Sequence, residues 1–306
     1  MNPTQALLAL LLFPGLLYAL PMGWLMLGLE RRLRARFQGR LGPPLSQPFY
    51  DVVKLLAKSP VPRAPADLRL LTGLPILAFG SVAGALALLP VLAAKTGFAG
   101  DLVLWVSLLE MPPLCLVLAG YASRSIYGEV GATREAIVSI ASSVPLLAAL
   151  LAMAAAAGSL RLTTIAAATP WPVRVPALLA YFICLPVKLR LNPFSIANAE
   201  QEILAGPLTE FDGRRLALWE LAHGLEWVAW LGALVCLAVP LRSSSSWLNV
   251  MAFSLLSLLL VLLLTALESA TARLKLPQAI GWLWRWASLP AALALAAAVY
   301  WRYSRY

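Results

Sequence analysis

The densest group of acidic side chains in this sequence lies in one polar segment, residues 192–213. The segment lies between two apolar stretches, each long enough to cross a membrane. It holds four of the fourteen acidic residues of the chain, namely Glu200, Glu202, Glu210 and Asp212. Carboxylates this close to hydrocarbon are costly unless they are paired, hydrated or functional. The segment is therefore the first place to expect chemistry, and that chemistry would be the binding and release of protons or ions.

A further carboxylate, Glu110, interrupts the apolar stretch 102–122 and is followed closely by Pro112 and Pro113. No basic residue in that stretch can neutralise it, so we expect its neutral form to be favoured in a low-dielectric setting unless a neighbour's charge or water intervenes. A carboxylate near the middle of a span usually faces the interior of a bundle or water. Glu110 is therefore either a group that exchanges protons or a structural glutamate that is satisfied locally.

A third group combines Glu220, His223 and Glu226, which follow one another at intervals of three residues. On a helix this spacing places His223 near both carboxylates. A metal site would need further ligands of this kind from other helices, and His223 is the only histidine. The group is therefore either a proton relay or hydrogen-bonded cluster, or a cluster that only orients the helix.

Two more acidic positions lie at the ends of apolar stretches. In the segment 123–135 we expect a glycine turn, with Thr133 capping the next helix and Glu135 in its first turn, where a carboxylate complements the helix dipole. Glu268 ends another stretch, and Arg273 follows it. An ion pair with Arg273 is the simplest structural account of Glu268.

The composition sets the class of protein that must position these groups. The 306 residues are 61% hydrophobic and only 12% charged, whereas a soluble domain has about 25% charged residues. Long apolar windows recur along the chain, which favours helices over the short alternating strands of a barrel. We predict an all-α, polytopic membrane protein, a single membrane domain over residues 1–306. Its eight spans lie near 6–29, 70–94, 102–122, 136–157, 175–191, 216–240, 247–268 and 286–301.

The distribution of basic residues predicts the orientation in the membrane. Seventeen of the twenty-four Lys and Arg residues fall in the loops after the odd-numbered spans, near 30–69, 123–135, 190–215 and 269–285, and an eighteenth, Lys188, lies just before the third of these loops. The positive-inside rule puts these loops in the cytoplasm and both termini outside, in the cytoplasmic (inner) membrane. The net charge of +10 is therefore assigned to lipid headgroups or an acidic partner rather than to nucleic acid.

The first cytoplasmic loop contains a turn followed by an amphipathic pattern. Gly42 and Pro43 lie in a stretch that breaks any helix. Residues 47–58 then resume helical spacing, with Phe49, Val52 and other apolar residues on one face. The pattern predicts a short helix lying in the membrane interface, whose task is either lipid contact alone or the docking of a partner.

The chain has few residues suited to redox or hydrolytic chemistry. Cys115, Cys184 and Cys236 are isolated in apolar stretches, which is typical of core packing and does not support a metal or iron–sulfur site. The sequence also lacks a phosphate-binding glycine loop and a nucleophile elbow. We expect no cofactor bound by this chain and no catalytic residue in the bond-making sense.

Several motifs, in order along the chain, resemble the subunit-H family of respiratory NADH–quinone oxidoreductases. The stretches that carry the resemblance are 39–56, 131–135, 199–213 and 268–276, which read GRLGPPLSQPFYDVVKLL, GATRE, AEQEILAGPLTEFDG and ESATARLKL. They are most similar to the counterpart in membrane-bound, energy-converting nickel–iron hydrogenases, including formate hydrogenlyase. The acidic-loop motif is the most specific of the four.

The resemblance implies an eight-helix anchor and coupling subunit of a multisubunit, complex I-like hydrogenase complex. The implied partners are hydrogenase-like large and small subunits, a ferredoxin-like cluster subunit and antiporter-like membrane subunits. The nickel–iron centre and the iron–sulfur clusters would lie in those partners, and the complex would link electron transport to proton or sodium translocation. Two alternatives remain, a purely structural anchor of a non-pumping or quinone-reducing oxidoreductase and a stand-alone transporter.

Under this interpretation two sets of residues carry the function. The proton-coupling candidates are Glu110, Glu129, Glu135, Glu200, Glu202, Glu210, Asp212, Glu220, His223, Glu226 and Glu268. The subunit-docking candidates are Arg40, Gly42, Pro43, Gln47, Asp51, Lys54, Arg134, Arg214 and Arg215.

The sequence departs from the family pattern at several polar positions. Ser143 and Ser195 stand where the family usually has carboxylates, Asn198 stands where Glu is common, and Ser59 replaces the Glu of a Lys-Glu pair. Where Glu220 and Glu226 occur, hydrogenase relatives tend to carry basic residues. Glu110, Glu220 and Glu226 are therefore hypothesised to supply carboxylates that lie on other helices elsewhere in the family.

Overall fold

The computed structural model describes residues 10–59, 68–91, 98–197, 200–240 and 245–304. Within these ranges the chain is helical and contains no strands. The helices in chain order are α1 (Leu16–Phe37), α2 (Gln47–Ala57), α3 (Leu68–Ala87), α4 (Asp101–Leu109), α5 (Met111–Ala122), α6 (Ile126–Ala157), α7 (Leu162–Ala168), α8 (Trp171–Lys188), α9 (Glu200–Ile203), α10 (Gly213–Ala238), α11 (Ser246–Ala270), α12 (Leu276–Trp286) and α13 (Ser288–Tyr303), with a 3-10 turn over Gly206–Glu210 between α9 and α10. This confirms the prediction of an all-α, polytopic architecture.

Seven segments in the described part of the chain are long and apolar enough to cross a membrane. They are Arg69–Ala87, Asp101–Ala122, Ile126–Ala157, Trp171–Lys188, Gly213–Ala238, Ser246–Ala270 and Leu276–Tyr303, and they correspond to the second to eighth predicted spans. The first predicted span, 6–29, begins outside the described residues. Its helix α1 continues through the basic run to Phe37, so α1 is less apolar than the other seven segments.

Helix α10 forms the centre of the bundle and is the most buried of these segments. It packs against α1, α2, α3, α8 and α11. The crossing with α1 is close because Gly23 and Gly224 face one another; a Cβ at Gly23 would lie 2.5 Å from the Gly224 carbonyl oxygen. On its other side, Trp230 packs edge-on against Trp105, and its carbonyl accepts a hydrogen bond from the Tyr181 hydroxyl.

Two short amphipathic helices accompany the spans. Helix α2 confirms the predicted interfacial helix: Val52 is buried, and Phe49 packs against Trp24 of α1. Helix α12 lies in the segment 269–285 that the sequence treats as a loop. It buries Ala279 and Leu283 and exposes three tryptophans, which suit a position at the membrane–water interface.

The segment 123–135 differs from its predicted structure. Helix α6 begins at Ile126 and runs without interruption to Ala157, so Thr133 caps no helix and Glu135 lies beyond the first turns. The glycines allow close packing rather than a turn. A Cβ at Gly128 would lie 2.5 Å from the Ser123 hydroxyl, and one at Gly131 would lie 2.6 Å from the Pro207 ring.

Candidate functional site

The break between α4 and α5 places Glu110 against a buried lysine. Lys188, the last residue of α8, donates hydrogen bonds to Glu110 Oε1 at 2.6 Å and to Ser143 Oγ at 2.7 Å. The Ser143 hydroxyl also lies 3.1 Å from Glu110 Oε1. The lysine side chain is 3% exposed and lies over the Trp230 ring. The expectation for Glu110 depended on the absence of a neighbouring charge, and α8 supplies a positive charge that its own span lacks.

A second ionic cluster surrounds Arg190, two residues beyond the end of α8. Its guanidinium reaches Glu135 of α6 at 3.4 Å and Glu226 of α10 at 3.3 Å. His223 completes the cluster, with Nδ1 3.1 Å from Glu226 Oε2 and 3.4 Å from the guanidinium. The Trp227 indole donates to His223 Nε2 at 3.2 Å. One arginine thus joins carboxylates from two helices in a largely buried site.

The third member of the predicted trio lies elsewhere. Glu220 is 3.9 Å from Arg31 of α1, and the same arginine forms a 2.8 Å ion pair with Asp51 of α2. Gln47 donates to the other oxygen of Asp51 at 2.8 Å. The spacing argument is therefore confirmed for Glu226 alone, since Glu220 points to the interface between α1, α2 and α10.

A small cavity separates the two ionic clusters. Its volume is about 20 Å³, and Glu135, Ser139, Lys188 and Arg190 are among its lining residues. A cavity needs roughly 10–15 Å³ to hold one water molecule, which also needs polar partners. The cavity meets both conditions, so a single water molecule can bridge the Lys188 cluster to the Arg190 cluster.

Helix α6 carries the polar groups that connect these features. Glu135, Ser139 and Ser143 are spaced four residues apart, so they share one face of the helix. The first contacts Arg190, the second lines the cavity, and the third contacts Lys188. The adjacent residue Arg134 points outward and pairs with Glu202 at 2.6 Å. One turn of α6 therefore contacts both the acidic loop and the buried cluster.

The acidic loop is compact rather than extended. Glu200 and Glu202 lie in the short helix α9. The side chain of Glu200 and residues 198–199 lie outside the described parts of the chain. Glu202 is half exposed, and the hydrogen bond from Arg134 holds the pKa of its carboxyl below the usual range. Arg273 approaches the same carboxylate at 4.0 Å.

Close backbone contacts hold this loop against the bundle. Gly206 has φ +56°, and a Cβ there would lie 2.4 Å from the Ala197 carbonyl oxygen. The Pro193 carbonyl accepts a hydrogen bond of 3.0 Å from the Leu274 amide. The loop is therefore fixed both to α6 and to the segment between α11 and α12.

The remaining proton-coupling candidates occupy separate places. Glu129 is exposed on α6, and Glu210 and Asp212 are partly buried just before α10. Glu268 does not pair with Arg273, contrary to the sequence-based account. It lies 3.5 Å from Arg34 of α1, because α11 packs on α1 while Arg273 turns toward the acidic loop.

Most of the docking candidates lie near α1 and α2. Arg40 and Lys54 are exposed, and Gly42 and Pro43 are partly buried. A Cβ at Gly42 would lie 2.8 Å from the Arg32 Cα, so glycine is required for this turn to fold back on α1. At the start of α10, Arg214 is exposed and Arg215 is partly buried. The preceding residue, Gly213, has φ +48° and lies close to the backbone of Lys58, so the start of α10 contacts the end of α2.

Sequence reasoning did not single out five charged residues that the structure places in ionic clusters. These residues are Glu30, Arg31, Arg34, Lys188 and Arg190. A signal for the last two was present, because a lysine and an arginine close a proline-bounded apolar span directly before the acidic segment. Their partners are 36 to 78 residues away in sequence, so local spacing could not identify them.

Comparisons with known proteins agree with this architecture. The sequence model of the NADH dehydrogenase family matches residues 8–300. The chain is 31% identical over 280 residues to hydrogenase-4 component C of Escherichia coli (strain K12), covering 87% of this chain and 85% of that protein. It is also similar to a chain in the structure of the membrane-bound sulfane sulfur reductase, described as an archaeal respiratory membrane complex. That match has a TM-score of 0.83 and 26% identity, and it covers 96% of this chain and 98% of the other.

Proposed function

The chain belongs to the NADH dehydrogenase family of membrane subunits, and from that premise we propose that it anchors a peripheral electron-transfer arm and couples it to proton or sodium translocation. The complex would be multisubunit, hydrogenase-like and related to respiratory complex I. This chain would make and break no covalent bonds. Its task would be to change the charge state or position of buried ionisable groups when the arm changes its redox state.

The observation that carries this proposal is the pair of buried ionic clusters joined by α6. Charged side chains inside a membrane bundle are expensive and usually mark ion pathways or relays. A structural ion pair needs only one acid and one base. Here two cations at the end of α8 meet three carboxylates, from the α4–α5 break, α6 and α10, at or next to a water-sized cavity. A group of this kind can change its proton occupancy when one ion pair is rearranged.

The route of coupling would begin at the acidic loop. A partner that changes the charge near Glu202 would alter its pair with Arg134, which precedes Glu135 on α6. Movement or rotation of this turn would change the contact between Glu135 and Arg190. The cavity and Ser143 would then connect that change to Lys188 and Glu110.

The proposed partners follow the relatives. Hydrogenase-like large and small subunits and a ferredoxin-like cluster subunit would dock on the basic cytoplasmic side, and antiporter-like subunits would lie beside the bundle in the membrane. The nickel–iron centre and iron–sulfur clusters would reside in the peripheral subunits. Both termini of this chain would lie outside the cytoplasm.

A purely structural anchor is the second candidate function. Ser143 and Ser195, in place of carboxylates expected from the family resemblance, favour it. The contact of Ser143 with Glu110 weighs against it, because a carboxylate from α4–α5 occupies the space beside that serine. A stand-alone transporter is less favoured, since the sequence contains no internal repeat of the kind that such proteins usually have.

The cavity provides a direct test of the coupling proposal. Ser139→Val should fill the water-sized space and remove its hydroxyl, while Ser139→Ala removes only the hydroxyl. We expect the valine variant to assemble and transfer electrons but to move fewer ions per electron in reconstituted vesicles. The alanine variant should move a number of ions per electron between those of the valine variant and the wild type. Equal ion-to-electron ratios in all three proteins would favour the structural anchor.

A further inference from the structure

A third buried cluster joins α1 to α11 and lies outside the proposed relay. Glu30 of α1 and Glu268 of α11 have side chains that are 4% and 3% exposed. Arg34 contacts both, reaching Glu30 within its own helix and Glu268 Oε1 at 3.5 Å. One guanidinium therefore contacts two buried carboxyl groups at the seam between the two helices.

The charges around this seam do not balance if every carboxyl group is ionised. The cationic groups are Arg31 and Arg34 of α1. Arg31 is already engaged by Asp51 of α2 and by Glu220 of α10, so Arg34 is left to Glu30 and Glu268. The acidic side exceeds the basic side by two charges. Glu30 and Glu268 are far more buried than Asp51 and Glu220. Ionising both Glu30 and Glu268 would therefore cost more free energy than ionising the two more exposed carboxyl groups.

The hydrogen bonding of the two glutamates points the same way. Both carboxyl groups contact the same guanidinium, and a carboxylate has no hydrogen to donate to another carboxylate. Glu268 Oε2 is also buried without a protein partner. A proton on one carboxyl group supplies the missing donor and removes one of the two negative charges.

We propose that Glu30 and Glu268 bind one proton between them and form, with Arg34, an electrically neutral proton-binding site at the seam of α1 and α11. A metal cation is a poorer occupant, because Arg34 already places a positive charge against both carboxyl groups. The site goes beyond the proposed relay, and its proton occupancy requires no partner subunit.

The structure also provides a route by which the proton can reach this site. Arg34 is 39% exposed and lines an open cavity of about 230 Å³ together with Arg31, Gln38 and Arg40. Water in this cavity would contact the guanidinium that covers the two carboxyl groups. Displacement of Arg34 would therefore expose the shared proton to the side of the membrane that carries the basic loops.

Infrared spectroscopy of the purified full-length chain at neutral pH tests the site directly. A protonated carboxyl group has a carbonyl stretch that a carboxylate lacks and that shifts in heavy water. We expect the wild type to show such a band that is missing in both Glu268→Gln and Glu30→Gln, since the remaining carboxyl group would ionise beside Arg34. The exposed control Glu129→Gln should keep the band. An unchanged band in both single variants would overturn the proposal.

Thermal unfolding of the same variants provides a second readout that does not depend on resolving the band. A glutamine can replace a protonated carboxyl group, so we expect each single substitution to change the melting temperature little. The double variant Glu30→Gln/Glu268→Gln leaves Arg34 without a counter-charge and should melt clearly lower than the sum of the single effects predicts. If each single substitution lowers the melting temperature by half as much as the double substitution does, both carboxyl groups are ionised and the shared proton is refuted.

Discussion

Lys188 determines the chemistry of Glu110, the residue that first suggested a relay from within an apolar span. The lysine is almost fully buried and has hydrogen bonds to Glu110 and Ser143. A buried lysine keeps its charge only when an acid compensates for lost hydration. The two residues therefore form one unit, in which removal of either charged group leaves the other without its counter-charge.

This interdependence can be measured as an energetic coupling. Lys188→Met leaves Glu110 without its cation, and we expect it to lower the free energy of unfolding by about 2–3 kcal/mol, at the low end for a broken ion pair because Glu110 is partly exposed. The double variant Lys188→Met/Glu110→Gln should recover most of that loss. Denaturation of the purified chain in detergent measures both changes, and equal losses in the single and double variants would show that the pair is not a unit.

The exposed pair of Glu202 and Arg134 predicts a specific dependence on pH. The hydrogen bond from Arg134 lowers the pKa of Glu202 below that of an ordinary glutamate. Because the pKa of Glu202 is lower in the folded state than in the unfolded state, the pair stabilises the loop fully at pH values above the unfolded-state pKa. This stabilisation is lost as the pH falls through the folded-state pKa.

We therefore expect Glu202→Gln to assemble normally and to lower coupled activity. Amide exchange should be faster in the loop of this variant than in the wild type at neutral pH, and the difference should disappear in acid. Absence of the complex from membranes would instead mean that Glu202 is required for assembly. A difference that grows in acid would contradict the assigned ion pair.

At the scale of helices and loops, α6 is the element that joins the surface to the interior. It bears Arg134 against the acidic loop and Glu135, Ser139 and Ser143 toward the buried clusters. The loop can approach this helix closely because Gly131 and Gly206 lack side chains at the contact. Rigid contact at this point is what would transmit a change in the loop to the bundle.

Gly131→Ala tests this contact. Its methyl group would lie 2.6 Å from the Pro207 ring and 2.9 Å from the Gly206 Cα, so we expect the loop to be displaced and coupled activity to fall although α6 itself remains helical. Gly281→Ala is the matched control, because a Cβ there meets nothing within 4 Å, and it should stabilise α12 by about 0.5–1 kcal/mol. Coupled activity equal to that of the control would show that close contact between the loop and α6 is not needed.

The elements also determine how much of the site could be predicted from the sequence. Apolar length and turn residues predicted seven of the spans and the interfacial helix α2. The pattern could not reveal that α6 already begins within the segment 123–135, because in a sequence the glycines that permit close packing of helices look the same as glycines that form a turn. The spacing of His223 and Glu226 predicted their contact, since both lie on one helix.

Apart from the Glu30–Arg34 pair within α1, the contacts that were wrong or missed join different helices. Glu110 forms an ion pair with Lys188, Glu135 with Arg190, and Glu268 with Arg34, and each partner is far away in sequence. Periodicity indicates which face of a helix is polar, but it does not say which helix that face meets. These pairs therefore became visible only once the packing of α1, α6, α8 and α11 was known.

At the scale of the whole molecule, the charged groups form a layered arrangement within one apolar bundle. Exposed arginines and the acidic loop lie on the side of the basic loops, the Arg190 cluster lies beneath them, and the Lys188–Glu110 pair lies where α4 meets α5. The arrangement suits a subunit that receives a signal from a peripheral arm and converts it into proton movement. The central claim is that the Glu110 carboxyl group takes part in that movement.

The most direct test compares the number of ions moved per electron transferred in vesicles that contain the complete complex with Glu110→Gln. Glutamine keeps the size of the side chain and can accept the hydrogen bond from Lys188, so assembly and electron transfer should remain near normal. Ser107→Ala, an exposed change in the same span, is the control and should leave the ratio unchanged. The account predicts a reduced ratio for Glu110→Gln alone, and a ratio equal to that of the wild type would contradict it.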